Sequence, residues 1–364
     1  MKTGRLSYFV LMKLEAPPKK YLVVKLRTLG DTVMSTAFVS QLKKLQPNCV
    51  IDFVSPKAWA PALEGHPDID KVIPLDFSKK DPLRLLKIFQ LGLRLRKENY
   101  DAAFALHASS SSAWLLVIAG IKMRIVHNHL FNGPKLFSSL PIPDSDKLHP
   151  ALMRDALCLK AMGWKLKDEL KTSIASNEID RQWSERYLKK HNLKKPLLVL
   201  GITASRETKM WPQENFALLA KKWIETKKGS VLALHASNES KYAHHFLNEA
   251  KKLKILSRLH TEGHASIKEL ISLIKEAELF IGNDSGPKHL AVALDVPTIT
   301  FFGPEDPFEY HPYDLNKHKI MFIENLNCRT NLSPQGDHPW CGIHVCDKEQ
   351  LKCLRGIHAD SVNF

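Results

Sequence analysis

The chain has 364 residues, 44% of them hydrophobic and 25% charged, with a formal net charge of +15. That length exceeds one ordinary hydrophobic core and predicts two domains, and the hydrophobic fraction supports globular folding. No run approaches the roughly 18 to 20 uninterrupted apolar residues of a membrane-spanning helix, and the positive excess predicts a polyanionic partner: nucleotide phosphate, anionic lipid or nucleic acid.

The amino-terminal run MKTGRLSYFVLMKLEAPPKK starts basic, but Lys13 and Glu15 break its apolar part and no small-residue cleavage site follows, so export is not expected. From residue 21 strand and helix alternate. YLVVKL predicts a strand over 21–26, then come a helix over 32–45, a strand (VIDFVS) over 50–55, a helix near 59–64 and a strand over 71–75. A helix over 82–98, a strand (DAAFAL) over 101–106 and a helix after Ser111 complete one doubly wound parallel sheet. Residues 131–150 turn rich in Pro, Asp and Ser, a helix is predicted over 151–162, and a polar stretch runs on to Pro196, which puts a domain boundary near 171–179. The rhythm then restarts with LLVLGI over 197–202, a helix over 212–226, VLALHA over 231–236 and helices over 240–253 and 266–277. Two such sheets with their strand ends lining one cleft suit an enzyme that joins a nucleotide-bearing donor to a separate acceptor.

The segment ELFIGNDSGPKHLAVALDVPTITFF, residues 278–302, is the most informative. It reads as strand, tight turn, helix and strand. Such a corner aims unpaired backbone N–H groups at an anion just outside a strand end. Asp284 and Ser285 can cap the helix, while Gly282 and Gly286 permit close backbone approach. An ordinary N-cap with small turn residues is the alternative. In TASRETKMWP, residues 203–212, Ser205, Arg206, Thr208 and Lys209 stand after the first strand of the second domain. Lys209 can set a point charge on a leaving diphosphate, with hydroxyl help from Ser205 and Thr208; a solvated basic loop is the alternative. Both loops leave one sheet, so Lys209 and the 284–286 turn are expected at neighbouring strand ends. Glu239, in LHASNESKY, fits either a ribose-binding acid or a helix-start carboxylate. In KLRTLGDTVMST, residues 25–36, Asp31 fits a general base, although position alone favours a carboxylate complementing the helix dipole. One Gly there is too few for a G-x-G-x-x-G fingerprint, which disfavours a nicotinamide or flavin enzyme.

Two D-x-D sequences, at Asp68 with Asp70 and at Asp144 with Asp146, read as turn chemistry beside prolines. Cys49 and Cys158 read as ordinary buried thiols. Cys328, Cys341, Cys346 and Cys353, with His344 and His358, lack paired C-x-x-C knuckles, and a metal-free tail is the expectation. The lysines show no aromatic-interleaved stripe or reading module, so nucleic acid is not the expected partner.

Taken together, KLRTLGDTVMST, TASRETKMWP and GNDSGPKHLAVAL followed by PTITFFGPEDP resemble the bacterial lipopolysaccharide-core heptosyltransferases, glycosyltransferase family nine, over residues 21–313. The resemblance implies a GT-B fold of two Rossmann-like domains facing across a cleft. Its domains fall at 1–175, binding acceptor, and 176–340, binding donor, with a Cys-rich tail at 341–364 packing back on the first domain. It implies inverting, metal-independent transfer of heptose from ADP-heptose to a sugar hydroxyl of the lipopolysaccharide core, with no cofactor. The implied setting is cytoplasmic, peripheral to the anionic inner-membrane surface. By position Asp31 looks like the catalytic base and Lys209 like the lysine on the donor phosphates, with Ser205 beside it. Asp284, Ser285, Gly286 and His289 match the donor-binding turn, where Ser285 replaces a frequent threonine; Glu239 matches the ribose acid loosely. Without the motif His289 would read as a core or cap residue. Another nucleotide-sugar donor, or a catalytically silent binding protein of the same fold, stays open.

Overall fold

The computed structural model describes residues 18–76, 81–127, 137–144, 149–330, 340–346 and 350–364. The amino-terminal run 1–17, Asp146 and part of the Pro-rich stretch 131–150 lie outside the described residues. The chain divides into two compact units, Met1–Ala175 and Ser176–Phe364.

The first unit runs β1 (Lys20–Val24), α1 (Leu29–Met34), α2 (Thr36–Leu45), β2 (Val50–Pro56), β3 (Lys71–Leu75), α3 (Arg84–Arg96), β4 (Ala102–Ala105), α4 (Ser110–Ile118), β5 (Met123–Val126) and α5 (Ala151–Ala161). Its five strands pair in the order β3-β2-β1-β4-β5, all parallel. Side chains alternate across the pleat, so Tyr21 and Val23 enter one core cluster and Leu22 and Val24 the other. Both faces are therefore covered, which is why these strands read as continuous apolar runs. The helix expected over 32–45 is two helices. They part at Ser35, where Ser35 Oγ donates to Thr32 O and Thr36 Oγ1 donates to Val33 O, each at 2.7 Å, back-bonds that compete with the helical ladder. The helix expected near 59–64 is a 3-10 turn, Ala60–Ala62. β5 escaped the sequence reading because four residues are too few to show a period.

The second unit runs α6 (Glu178–Lys190), β6 (Leu197–Gly201), α7 (Gln213–Lys227), β7 (Ser230–Leu234), α8 (Ser240–Lys252), β8 (Leu259–Glu262), α9 (Ile267–Lys275), β9 (Leu279–Asn283), α10 (Gly286–Ala293), β10 (Thr298–Phe301), α11 (Pro307–Tyr310), β11 (His318–Met321) and α12 (Lys352–Arg355). Its six strands pair in the order β11-β10-β9-β6-β7-β8, again all parallel. α6 lies in the stretch read as merely polar: it buries only Ser184 and Leu188, and a capping box between Asn177 and Asp180 starts it. At the ends of β6 and β9, Gly201 pairs with Gly282. A Cβ on Gly282 would sit 2.9 Å from the Gly201 carbonyl oxygen, so glycine lets the two strand ends, and the loops leaving them, approach closely.

The carboxyl-terminal segment corrects one expectation. Residues 341–364 were expected against the first domain, yet Cys353, Leu354, Ile357 and Val362 enter the core of the second unit. The cause is Trp211. Its ring stacks on Phe301 with centroids 4.0 Å apart and its indole N–H donates to Ile357 O at 2.9 Å, so the tail covers an aromatic wall that would otherwise face water. Leu354 is wholly buried there. Leu354→Ala should destabilise the second unit by about 2–5 kcal/mol, measured by urea unfolding.

Candidate functional site

The turn after β9 is built around a buried ion cluster. Asp284 Oδ2 lies 2.5 Å from Lys209 Nζ and Oδ1 lies 2.6 Å from Lys288 Nζ. Lys288 is fully buried, donates also to Tyr310 O at 2.9 Å and lies 5.0 Å from the centroid of the Phe302 ring. Burial works to raise the Asp284 pKa, but Lys288, Lys209 and His289 outweigh it and hold the carboxyl well below the usual range. Burial pulls the Lys288 ammonium down. Next to it Asn283 accepts from Trp211 N at 2.8 Å and donates to Gly201 O at 3.3 Å, tying the 203–212 loop to the turn.

Lys209 and the 284–286 turn thus meet at neighbouring strand ends, as the sequence predicts. Lys209 keeps 16% side-chain exposure and Lys288 none, so Lys209 is the lysine able to reach a ligand. Ser285 is the N-cap of α10 but makes no side-chain cap, and its Oγ is buried without a hydrogen-bond partner. A hydroxyl left unpaired at a helix start is poised for an anion. Gly286 opens the helix. His289 is buried, with Nδ1 2.6 Å from the Tyr313 hydroxyl.

The remaining predicted residues spread out. Ser205 is exposed on the loop. Thr208 is buried in a 3-10 turn, Glu207–Lys209, with Oγ1 unpaired, and lines a small cavity with Cys328, Cys341, Cys346 and Cys353 rather than the ion cluster. Arg206 pairs with Glu305. Glu239 accepts from its own Ala236 N at 3.3 Å, the helix-start role. Among the described residues no group of three His, Cys, Asp or Glu side chains is arranged to hold a metal ion. Asp68 accepts from Ser40 Oγ on α2 and Asp70 from Ile51 N on β2, so these carboxylates tie their loop to neighbouring elements instead of closing a local turn.

In the first unit Asp31 sits in the first turn of α1 and lines a pocket of about 140 Å³ at the strand ends. Its carboxylate accepts from Thr28 Oγ1 at 2.7 Å and Arg27 Nε at 3.0 Å. Burial alone would raise its pKa, but Arg27, Lys25 and these hydrogen bonds bring it down to about 2. On the pocket wall Lys25 Nζ bonds both oxygens of Asp155, at 2.7 and 2.8 Å, and Leu106 O at 2.8 Å, and all of this is buried. Arg154, His107 and His127 complete the lining, giving three permanent cations, Lys25, Arg27 and Arg154, against Asp31 and Asp155.

Sequence reasoning missed Lys288, Asn283, Lys25 and Asp155. Lys288 carried a signal: a lysine in an apolar helix four residues after Asp284 is costly unless the two pair. Lys25 interrupts an apolar strand in the same way, but its partner is 130 residues distant.

Two all-parallel doubly wound sheets, with a cation-paired helix start at the strand ends of the second, are the GT-B architecture that nucleotide-sugar glycosyltransferases share. The model described as glycosyltransferase family 9 (heptosyltransferase) matches residues 88–337, and the chain belongs to that family. It is 26% identical over 359 residues to lipopolysaccharide heptosyltransferase 1 of Campylobacter coli, covering 94% of this chain and 99% of that protein. Among solved structures, the family 9 glycosyltransferase of Veillonella parvula superposes with a TM-score of 0.73 at 21% identity, covering 84% of this chain and 86% of that one. The ADP-heptose LPS heptosyltransferase II of E. coli gives 0.71 at 22%, covering 84% and 91%.

Removing Lys288 would leave Asp284 buried with one partner, so Lys288→Met should cost about 3–5 kcal/mol in chemical unfolding. The depressed pKa of Asp284 has a pH consequence of definite sign. The folded state binds fewer protons there than the unfolded chain, so this stabilisation is complete above about pH 4 and is lost as pH falls further. Unfolding free energies measured across that acid range should show a shallower slope in Asp284→Asn, beneath a lower overall stability.

Proposed function

We propose that this family 9 heptosyltransferase moves heptose from ADP-heptose to a sugar hydroxyl of the lipopolysaccharide core by a single inverting displacement. The observation that carries the donor assignment is the Lys209–Asp284–Lys288 cluster beside the unpaired Ser285 hydroxyl at the start of α10. One carboxylate against two ammonium groups leaves a positive excess, and the helix start adds its own partial charge. That suits a leaving diphosphate. Lys209 and Ser285 bind it, with Gly286 allowing its approach, while Asp284 and Lys288 position Lys209 and the turn. His289 is oriented by Tyr313, and Ser205, on the same loop as Lys209, adds a hydroxyl. Glu239 and Thr208 have weaker support, since their side chains serve a helix start and the cysteine-lined cavity.

The acceptor hydroxyl attacks the anomeric carbon, its proton passes to Asp31, and the bond to the ADP oxygen breaks with the electron pair leaving on ADP. One displacement inverts the centre. A carboxylate held at about 2 is a weak base toward a resting hydroxyl. It accepts the proton as the new C–O bond makes that hydroxyl acidic. Lys209 and the helix start take the charge role that a divalent cation would otherwise fill. The cation-rich wall around Asp31 favours an anionic acceptor, and the net charge of +15 favours work at an anionic, cytoplasmic membrane face. Among the described residues no helix is long and apolar enough to cross a membrane.

Asp31→Ala should lower turnover by about 10²–10⁴-fold and leave ADP affinity, by calorimetry, unchanged; turnover equal to wild type would remove Asp31 from the mechanism. Offered a panel of nucleotide sugars and deacylated core acceptors, the enzyme should release nucleotide fastest from ADP-heptose. NMR of the product should show the opposite anomeric configuration, and a chelator should leave the rate unaltered.

A further inference from the structure

Helix α3 carries two apolar stripes. Ile88, Leu91 and Leu95 face inward, buried in a core of the first unit. On the other side Leu85, Leu86, Phe89 and Leu93 are 67%, 48%, 49% and 43% exposed. Their spacing, with steps of three or four residues, makes one continuous helical face. Leu83, just before the helix, is 56% exposed, and Trp114 on α4, the helix against which α3 packs at Gly92, is 50% exposed. Single exposed leucines need no explanation, but a row of them does.

Within the helix itself the charge has one sign. From Arg84 to Lys97 the chain carries Arg84, Lys87, Arg94, Arg96 and Lys97 and no acidic residue. Lys87 is engaged by Asp76 and Asp81. Arg94, Arg96 and Lys97 are exposed, and Arg96 and Lys97, three and four residues beyond Leu93, continue the outward face. A ridge of leucine and phenylalanine ending in arginine and lysine matches an interfacial helix, apolar side chains entering the acyl boundary while cations meet headgroup phosphates.

We propose that the outward face of α3 is the surface by which this chain docks on an anionic lipid bilayer. It rests on the reading above that the acceptor is lipid-borne, and it locates that contact on the acceptor-binding unit. A protein partner is the weaker match, because from Arg84 to Lys97 the helix has no acid and one carboxamide, Gln90, to pair with a polar rim, and the flanking Asp76 and Asp81 are engaged by Lys87.

The test is co-sedimentation of the full chain with acceptor-free vesicles of phosphatidylcholine alone or mixed with phosphatidylglycerol, beside turnover on a deacylated, water-soluble acceptor. Wild type should bind the anionic vesicles at least about tenfold more tightly than the neutral ones, with binding weakening as salt rises. Phe89→Ser with Leu93→Ser should lose about tenfold or more of that binding, and Arg94→Gln with Arg96→Gln and Lys97→Gln should lose the anionic preference, both keeping wild-type turnover and thermal unfolding. Binding unchanged in the Ser variant, no lipid preference in wild type, or a dimer in solution that the Ser variant dissociates would each overturn the docking face. Vesicle binding intact in a wild type that transfers no sugar would instead overturn the functional reading and leave the docking face standing.

Discussion

Burying three charged groups at one helix start is tolerable only if each is paired, and Asp284 supplies the pairing for both lysines. Its two oxygens are divided, one to Lys209 from the loop after β6 and one to Lys288 from its own helix. The carboxylate therefore acts as a clasp between two loops far apart in sequence. Asn283 fastens the same loops through backbone groups, and the Gly201–Gly282 crossing brings the strand ends close enough for both contacts. Lys209, which we propose meets the donor diphosphate, is thus held in place by Asp284 before any ligand arrives. This is the preorganisation that lets a site stabilise developing charge without rearranging.

The same device recurs in the first unit. Lys25 at the end of β1 is neutralised by Asp155 on α5, fixing one wall of the Asp31 pocket. In both units a lysine interrupts an apolar stretch and is answered by a buried acid, Asp284 in the turn before α10 and Asp155 on α5. The two pairs differ in reach. Lys288 finds its acid one helical turn away, whereas Lys25 and Asp155 join elements 130 residues apart and so report the tertiary fold.

That difference explains what the sequence disclosed. The parallel sheets were legible because their strands are apolar on both faces, and the 282–289 corner because turn chemistry is local. α6 stayed hidden since its faces are charged nearly all round, and β5, β8 and β11 since strands of four residues at or near a sheet edge carry little pattern. Candidate ligand residues could be nominated from strand ends, but side-chain direction could not. Thr208 and Lys209 are adjacent in sequence, yet one turns to the cysteine-lined cavity and the other to Asp284. Glu239 is equally ambiguous in sequence, and the structure gives its carboxylate a contact with Ala236 N at the helix start.

Trp211 meets Ile357 across 146 residues, and this long closure bears on synthesis at the ribosome. The first unit is complete once residue 175 has emerged, and its sheet can form while translation continues. The second cannot close its aromatic wall until residues 353–362 are free of the exit tunnel. During that interval Trp211, Phe216 and Phe301 would present an open apolar surface, a natural landing place for a chaperone. The second unit thus matures last, after the first has already taken shape.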